Sequence, residues 1–180
     1  MQPLRPTSAV SELGGVQLGI PMFRRFQDVV ADMASDGGLR DFYIFDVSAH
    51  HWNRLLECVR RRLHDDSFQI DGRTEQIPPT FESIYALRST VSPCLSIPVG
   101  RAYVACHFFS DSEIELDFRP EDYCSPESWS ELCEFLQGLV DAVGRPGVVT
   151  LENHKTEVIE AFEPRRKVEQ DTAPYGSPAG

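Results

Sequence analysis

The chain has 180 residues, a hydrophobic content of 41%, a charged content of 25% and a formal net charge of -11 at pH 7. This length suits one ordinary domain with a real core, and the composition is that of globular proteins, which excludes wholesale disorder. Acidic charge of this size repels nucleic acid and anionic lipid, so we expect neither a nucleic-acid partner nor a membrane partner. No apolar run approaches the ~20 residues of a membrane-spanning helix, and the N-terminal sequence lacks the pattern of a signal peptide.

The cysteines form an odd set without CxxC spacing, and three of the five occupy positions that the hydrophobic pattern assigns to the interior. This usage favours reduced thiols over a disulfide framework or a zinc site. We therefore expect a cytoplasmic protein. The set consists of Cys58, Cys94, Cys106, Cys124 and Cys133.

Residues 1–40 are interpreted as an N-terminal extension that contains one short helix. The helix is predicted after Pro21, because apolar residues recur there at helical spacing and Gly37 with Gly38 ends the run. These apolar residues are Phe23, Phe26, Val30 and Met33. The next segment, FYIFDV over residues 42–47, is apolar on both faces and predicts a central strand that is covered on both sides.

Two amphipathic helices are predicted, over residues 48–63 and 126–143. The first begins at the N-cap Ser48, and its apolar residues Trp52, Leu55, Leu56, Val59 and Leu63 fall on one face. The second begins with Ser125, Pro126 and Glu127, a combination typical of a helix start. Its apolar stripe predicts that it covers a sheet.

Residues 95–118 predict a three-strand antiparallel meander. A turn at Val99 and Gly100 would place Ile97 opposite Ala102 and Leu95 opposite Val104, and a loop over residues 110–112 would place Cys106 opposite Leu116. Short strands are predicted over residues 68–70 and 84–87, and a last hairpin would pair Leu151 with Val158 around residues 153–156. Residues 164–180 are interpreted as a disordered tail.

These elements predict an α+β fold, in which an antiparallel sheet with the meander over residues 95–118 is backed by the helices over residues 48–63 and 126–143. Residues 41–163 are taken as the single α+β domain. One face of the meander is apolar, whereas the other is polar and aromatic because side chains alternate along a strand. The candidate binding residues on the polar face are Tyr103, His107, Phe109, Glu113, Glu115 and Asp117.

Most of the negative charge is local to this region. Residues 111–134 hold nine carboxylates and one arginine, which is -8 of the total charge of -11. Such a surface attracts cationic partners, and the aromatic residues among the acids supply apolar contact area. The leading hypothesis is a non-enzymatic cytosolic protein that presents this acidic-aromatic sheet face to a basic protein partner. The profile is shared by many bacterial immunity and antitoxin proteins, an analogy of class that no motif supports.

The alternative is a hydrolase that uses carboxylates with His107, with or without a divalent metal ion. The proposed register places His107 opposite Glu115, and a neighbouring carboxylate raises the pKa of an imidazole. Acids spread along a strand do not converge on one ion, and no HExxH, P-loop or GxSxG motif occurs, so the sequence predicts neither a catalytic residue, a metal site nor a cofactor. A homo-oligomer packed through this face is the third hypothesis.

Two smaller candidates carry a structural explanation as well as a chemical one. Cys124 precedes the helix that begins after Ser125, where an apolar contact with Trp129 explains it better than a reactive thiol does. His50 and His51 lie in the first turn of the Ser48 helix, but no further ligand is placed to complete a metal site with them.

Overall fold

The computed structural model describes residues 23–165, which form one eight-stranded antiparallel sheet and four helices. The strand order across the sheet is β3-β2-β4-β5-β6-β1-β7-β8. The strands are β1 (Arg40–Phe45), β2 (Phe68–Ile70), β3 (Arg73–Thr74), β4 (Pro93–Val99), β5 (Ala102–His107), β6 (Glu113–Phe118), β7 (Gly147–Leu151) and β8 (His154–Phe162). The helices are α1 (Phe26–Val29), α2 (Ala49–Val59), α3 (Phe81–Leu87) and α4 (Pro126–Val143).

The helices lie on one face of the sheet, and the predicted α+β fold is confirmed. Strands β4, β5 and β6 show strictly alternating burial, with every second side chain in the same apolar cluster as the inner faces of α2 and α4. Burying these side chains is the main favourable term for the fold, at roughly 25 cal/mol per Å² of apolar surface. No described helix packs on the other face, which we call the open face.

Helix α4 has the predicted bounds and the predicted apolar stripe. Ser125 caps it by accepting a hydrogen bond from the Ser128 amide at 3.2 Å, and Gly144 ends it in the left-handed region, with φ 78°. Helix α2 ends at Val59, earlier than predicted, because the chain tightens into a 3-10 turn over Arg60–Arg62. The α2 residues predicted to face the core, from Trp52 to Val59, are buried.

The strand predicted over residues 84–87 is wrong, since these residues belong to α3. Thr80 caps this helix by accepting a hydrogen bond from the Ser83 amide at 3.3 Å. Phe81 and Ile84, three residues apart, are buried on one side of the helix. Residues 84–87 form too short a segment for periodicity to distinguish a helix from a strand. The N-cap residue Thr80 is the sequence feature that marks the start of this helix.

The predicted register is right on one side of β5 and wrong on the other. Cys106 lies opposite Leu116, as predicted. The β4–β5 turn is at Gly100 and Arg101 instead of Val99 and Gly100, and Ile97 therefore lies opposite Val104. Gly100 has φ 61°, a conformation that glycine adopts without strain. The slip moves each pairing by an even number of residues, so the predicted faces survive.

The β7–β8 hairpin differs from its prediction. Leu151 pairs with His154 across a tight turn in which Asn153 has φ 58°, and Thr150 pairs with Val158. Between these two pairs β8 holds three residues, 155–157, that have no counterpart on β7. Such an insertion bends the strand out of the ladder, and we call residues 155–157 the β8 bulge.

Strand β1 lies between β6 and β7 and is buried on both faces from Arg40 to Ile44, as predicted, although the described helices cover only one of these faces. Helix α1 is shorter than predicted, and Val29 is buried where Val30 was expected. It packs against α4 on the helical side, where Trp129 Nε1 donates to the Arg24 carbonyl at 2.9 Å. The rest of the predicted N-terminal extension, residues 1–22, and residues 166–180 of the predicted tail lie outside the described residues.

Within residues 23–165, no helix combines the length and the apolar content that crossing a membrane requires.

Candidate functional site

The open face carries all the candidate residues of the meander. Strand β6 points Glu113, Glu115 and Asp117 to this face, because Ile114, Leu116 and Phe118 alternate with them and enter the core. All three acidic residues are half-buried, and β6 lies between β5 and β1. The acidic row therefore runs inside the sheet, with side chains of a neighbouring strand on each side.

Aromatic rings flank the acidic row. On the β1 side, Tyr43 lies opposite Glu115 and Phe45 lies opposite Glu113, and the two rings stack with centroids 5.6 Å apart. On the β5 side, His107 lies opposite Glu115, and Phe109 stacks on its imidazole with centroids 4.8 Å apart. Adjacent strands are ~4.8 Å apart, so the two stacks are separated by roughly 10 Å.

We call this arrangement the trough. Its floor is Glu113 and Glu115, and its walls are the Tyr43–Phe45 stack and the His107–Phe109 stack. The faces of the Tyr43, Phe45 and Phe109 rings carry negative potential, so these rings and the two carboxylates favour a cation, while the charge of His107 is balanced by its hydrogen-bond partner Asp117. Phe45 and Phe109 are exposed to 37% and 57%, which leaves apolar area available for contact.

His107 has its hydrogen bond with Asp117 and not with Glu115. The imidazole Nε2 lies 2.7 Å from Asp117 Oδ2, on the diagonal of the β5–β6 pair. This bond raises the pKa of His107, with smaller contributions from the charges of Asp117 and Glu115. The pair therefore favours the imidazolium form, which is a hydrogen-bond donor and a poor general base.

Glu115 is a carboxylate whose ionised form is disfavoured by the fold. Burial raises its pKa, and the negative charges of Asp41 and Glu113 raise it further. Lys155 and His107 act in the opposite direction with smaller effects. A cation placed beside Glu115 would therefore find a carboxylate whose ionised form needs stabilisation.

The structure adds Asp41 and Tyr43 to the face, and sequence reasoning missed both. Asp41 is 3% exposed and accepts two hydrogen bonds, from the Tyr43 hydroxyl at 2.8 Å and from the Asn153 amide at 2.7 Å. The Asn153 bond fixes the β7–β8 turn against β1. The alternation of Asp41, Tyr43 and Phe45 was visible in the sequence, but the pairing of β1 with β6 joins residues more than 60 positions apart and left no local signal.

Lys155 is a third residue of the open face that sequence reasoning missed. Its ammonium lies 4.7 Å from the Tyr43 ring centroid and 2.7 Å from both carboxylate oxygens of Glu113. The sequence placed Lys155 in the loop of the last hairpin, over residues 153–156. The β8 bulge, which brings it over β1, has no sequence signature that we could have read.

Tyr103 is on the open face but away from the trough. It lies opposite Pro98 near the start of β5 and is 57% exposed. Four residues of strand, or roughly 13 Å, separate it from His107. Of the six predicted residues, the fold thus brings five together and leaves Tyr103 at the end of the face.

The hydrolase hypothesis would be favoured by His107 with two carboxylates within hydrogen-bond reach. His107 has one such partner, Asp117. In residues 23–165, no group of three or more His, Cys, Asp or Glu side chains is arranged to hold a metal ion. Two grooves of ≈ 610 and ≈ 450 Å³, one beside β2 and one at the start of α2, are lined by other residues than His107.

The structure also shows the positions of the two smaller candidates, the histidines at the start of α2 and Cys124. His51 Nδ1 accepts from the Ser48 amide at 3.1 Å, so this ring completes the cap of α2. Burial lowers the pKa of His51, and nearby Arg145 lowers it further. Cys124 is exposed and Trp129 is buried, and the apolar contact between them stays a prediction.

Comparison of the whole chain with protein-family models, with curated proteins and with solved structures yields no match.

Proposed function

We propose that the protein is a non-enzymatic binding protein that receives a basic segment of a protein partner on the open face. The observation that carries this proposal is the trough, in which Glu113 and Glu115 lie between two aromatic stacks. A lysine or arginine side chain matches it in charge, through the carboxylates, and in shape, through the flat rings.

The electrostatics of Glu115 support a cationic partner. Its raised pKa means that the folded protein disfavours the ionised carboxylate, mainly through burial and then through Asp41 and Glu113. An incoming ammonium or guanidinium group relieves this repulsion. Binding then gains free energy from a repulsion that the free protein already carries.

Salt and charge removal test the proposal. Hexalysine serves as the probe, and its affinity is measured by fluorescence anisotropy between about 50 and about 300 mM NaCl. We expect the affinity to fall as salt rises, and to fall by more than about tenfold in the triple variant Glu113→Gln, Glu115→Gln and Asp117→Asn. The amide side chains keep the size and polarity of the acids that they replace, so the sheet should persist, which circular dichroism checks.

The matched control removes the same number of charges from α4. Glu127, Glu131 and Glu134 are exposed there, and changing all three to Gln alters the net charge equally. This control variant should bind hexalysine within about twofold of the wild type, because its acids lie on the helical side of the sheet. Equal losses in the two triple variants would mean that net charge, and not the trough, attracts the probe, and the proposal would be wrong.

A further inference from the structure

The trough already contains a cation that belongs to the chain itself. The Lys155 ammonium contacts the faces of Tyr43 and Phe45, at 4.7 and 5.7 Å from the ring centroids, and pairs with both oxygens of Glu113. These are the interactions that a lysine of a basic partner would make. We call the three residues Tyr43, Phe45 and Glu113 the ammonium subsite.

The backbone around Lys155 is built in a way that brings it to this subsite. A regular antiparallel ladder would continue from the Leu151–His154 pair without added residues. Lys155 would then lie opposite Thr150 on β7. The three-residue β8 bulge interrupts that ladder, while the Asn153 amide holds the turn on Asp41. The lysine can thus reach across β1 to Glu113 on β6.

The contacts of Lys155 in the ammonium subsite are weak enough for a partner to displace the ammonium. The Lys155 side chain is 47% exposed, and the Glu113 side chain is 19% exposed. Because about half of the Lys155 side chain faces water, its ion pair and cation–π contacts are weakened, and the occupied and released states differ little in free energy. A site occupied by its own lysine about nine-tenths of the time binds an external ligand about tenfold more weakly.

We propose that Lys155 is an internal competitor, whose ammonium fills the ammonium subsite and leaves it when a lysine side chain of the basic partner docks there. This inference rests on the proposed function, since it assumes that the partner binds in the trough. The β8 bulge is the segment that moves, and Asn153 is the fixed point about which it moves.

The lysine composition of the chain makes the displacement directly observable. The lysines are Lys155 and Lys167, so reductive methylation with ¹³C-formaldehyde gives two lysine signals and that of the terminal amine. The methyl groups keep the positive charge, and a Lys167→Arg variant identifies which signal is which. The two rings should shift the Lys155 signal away from the position of an exposed dimethyl-lysine.

Adding hexalysine should move the Lys155 signal to the exposed position in a saturable way, whereas hexaglutamate should leave it in place. A Lys155 signal that lies at the exposed position in the free protein would overturn the proposal. So would a signal that stays shifted while hexalysine saturates the trough.

The affinity of the unmethylated protein provides the second measurement. Lys155→Met removes the ammonium and keeps the apolar stem, and we expect hexalysine to bind about tenfold more tightly. Arg101→Met removes one positive charge from the exposed β4–β5 turn, and it should change the affinity by less than about twofold. Lys155→Arg keeps a cation at the position and should bind hexalysine like the wild type.

The outcomes separate the two proposals. If hexalysine binds in a way that depends on Glu113, Glu115 and Asp117 but Lys155→Met gains no more than Arg101→Met, the internal competitor is wrong and the binding function stands. If neither the wild type nor Lys155→Met binds hexalysine, the proposed function fails, and the internal competitor fails with it.

Discussion

His107 makes a hydrogen bond with a carboxylate and stacks on an aromatic ring. Asp117 accepts from its Nε2 at 2.7 Å, and Phe109 stacks on its imidazole ring. The hydrogen bond raises the pKa of His107 above its ordinary value of 6.5. The folded state therefore binds a proton more tightly than the unfolded chain does, and protonated His107 stabilises the fold.

The pH dependence of stability follows from the direction of this shift. The stabilisation from His107 is fully present below pH 6.5 and is lost as the pH rises through the raised pKa. We expect the free energy of unfolding of the wild type, relative to His107→Gln, to fall by about 0.5–1 kcal/mol between about pH 5.5 and about pH 8.5, after allowing for solvent screening. Urea unfolding of both proteins at the two pH values measures it.

Comparison with a variant is needed because His51 acts in the opposite direction. Burial lowers the pKa of His51, so its contribution to stability is lost as the pH falls. The two histidines partly cancel in the wild type, while the difference from His107→Gln retains the His107 contribution alone. A difference that grows with rising pH would contradict the assignment.

At the scale of single elements, two glycines show how differently the same change acts on a strand and on a helix. A Cβ added to Gly147, at the start of β7, would lie 2.6 Å from Phe42 Cζ and 3.0 Å from Val140 Cγ2. A Cβ added to Gly138, inside α4, would meet no atom within 4 Å. The strand thus lies against the ring of its neighbour, and only glycine permits that approach.

We expect Gly147→Ala to reduce the free energy of unfolding by about 1–3 kcal/mol, because Phe42 and the β7 backbone have to move apart. Gly138→Ala should raise it by about 0.5–1 kcal/mol, because alanine loses less backbone entropy in a helix. Urea unfolding midpoints at constant m-value report both changes. Destabilisation by both substitutions would show that α4 is packed more tightly around residue 138 than the structure indicates.

The elements also show where sequence reasoning succeeds. Helix α4 was predicted with its observed bounds because Ser125, Pro126 and Gly144 each have a local reason to begin or end a helix. Helix α3 was missed because its signal is a cap at Thr80 followed by a short apolar pattern. The face of the meander was predicted because alternation is local to each strand, and it tolerates an error of turn position.

Residues 23–165 form one sheet with a helical layer on one side, and the five cysteines lie in the core, on the open face and at the surface. Cys106 and Cys133 are buried, Cys94 is partly buried on the open face, and Cys58 and Cys124 are exposed. Burial raises the pKa of Cys106 and Cys133 well above the ordinary thiol value, which suppresses the reactive thiolate.

Thiol alkylation should therefore follow position in the fold. With iodoacetamide under native conditions, we expect Cys124 to react first and Cys58 more slowly, because partial burial raises the pKa of Cys58. Cys106 and Cys133 should react only after unfolding in urea. Peptide mass spectrometry over time measures each rate, and fast native labelling of Cys133 would contradict the packing of α4 on the sheet.

The composition of the open face was only partly predictable, for a reason that belongs to the whole molecule. Glu113, Glu115 and Asp117 could be placed because they alternate along one strand, and His107 could be placed because it lies on the preceding strand. Tyr43 lies on β1, which pairs with β6, and Lys155 lies on β8, two strands beyond β1 in the sheet. Both positions depend on the complete strand order. Such long-range pairing is set by the packing of the entire core, which no short window of sequence contains.

The β8 bulge has a consequence for how the protein behaves among copies of itself. Within the described residues 23–165, strand β8 lies at an edge of the sheet, and an edge with regular hydrogen-bonding groups can accept a strand from another molecule. Its ladder with β7 shifts register twice within a few residues. A ninth strand would have to follow those shifts to pair with β8, and the opposite edge, β3, offers only two residues. The segment that delivers a lysine to the trough thus also protects the sheet from growing sideways into aggregates.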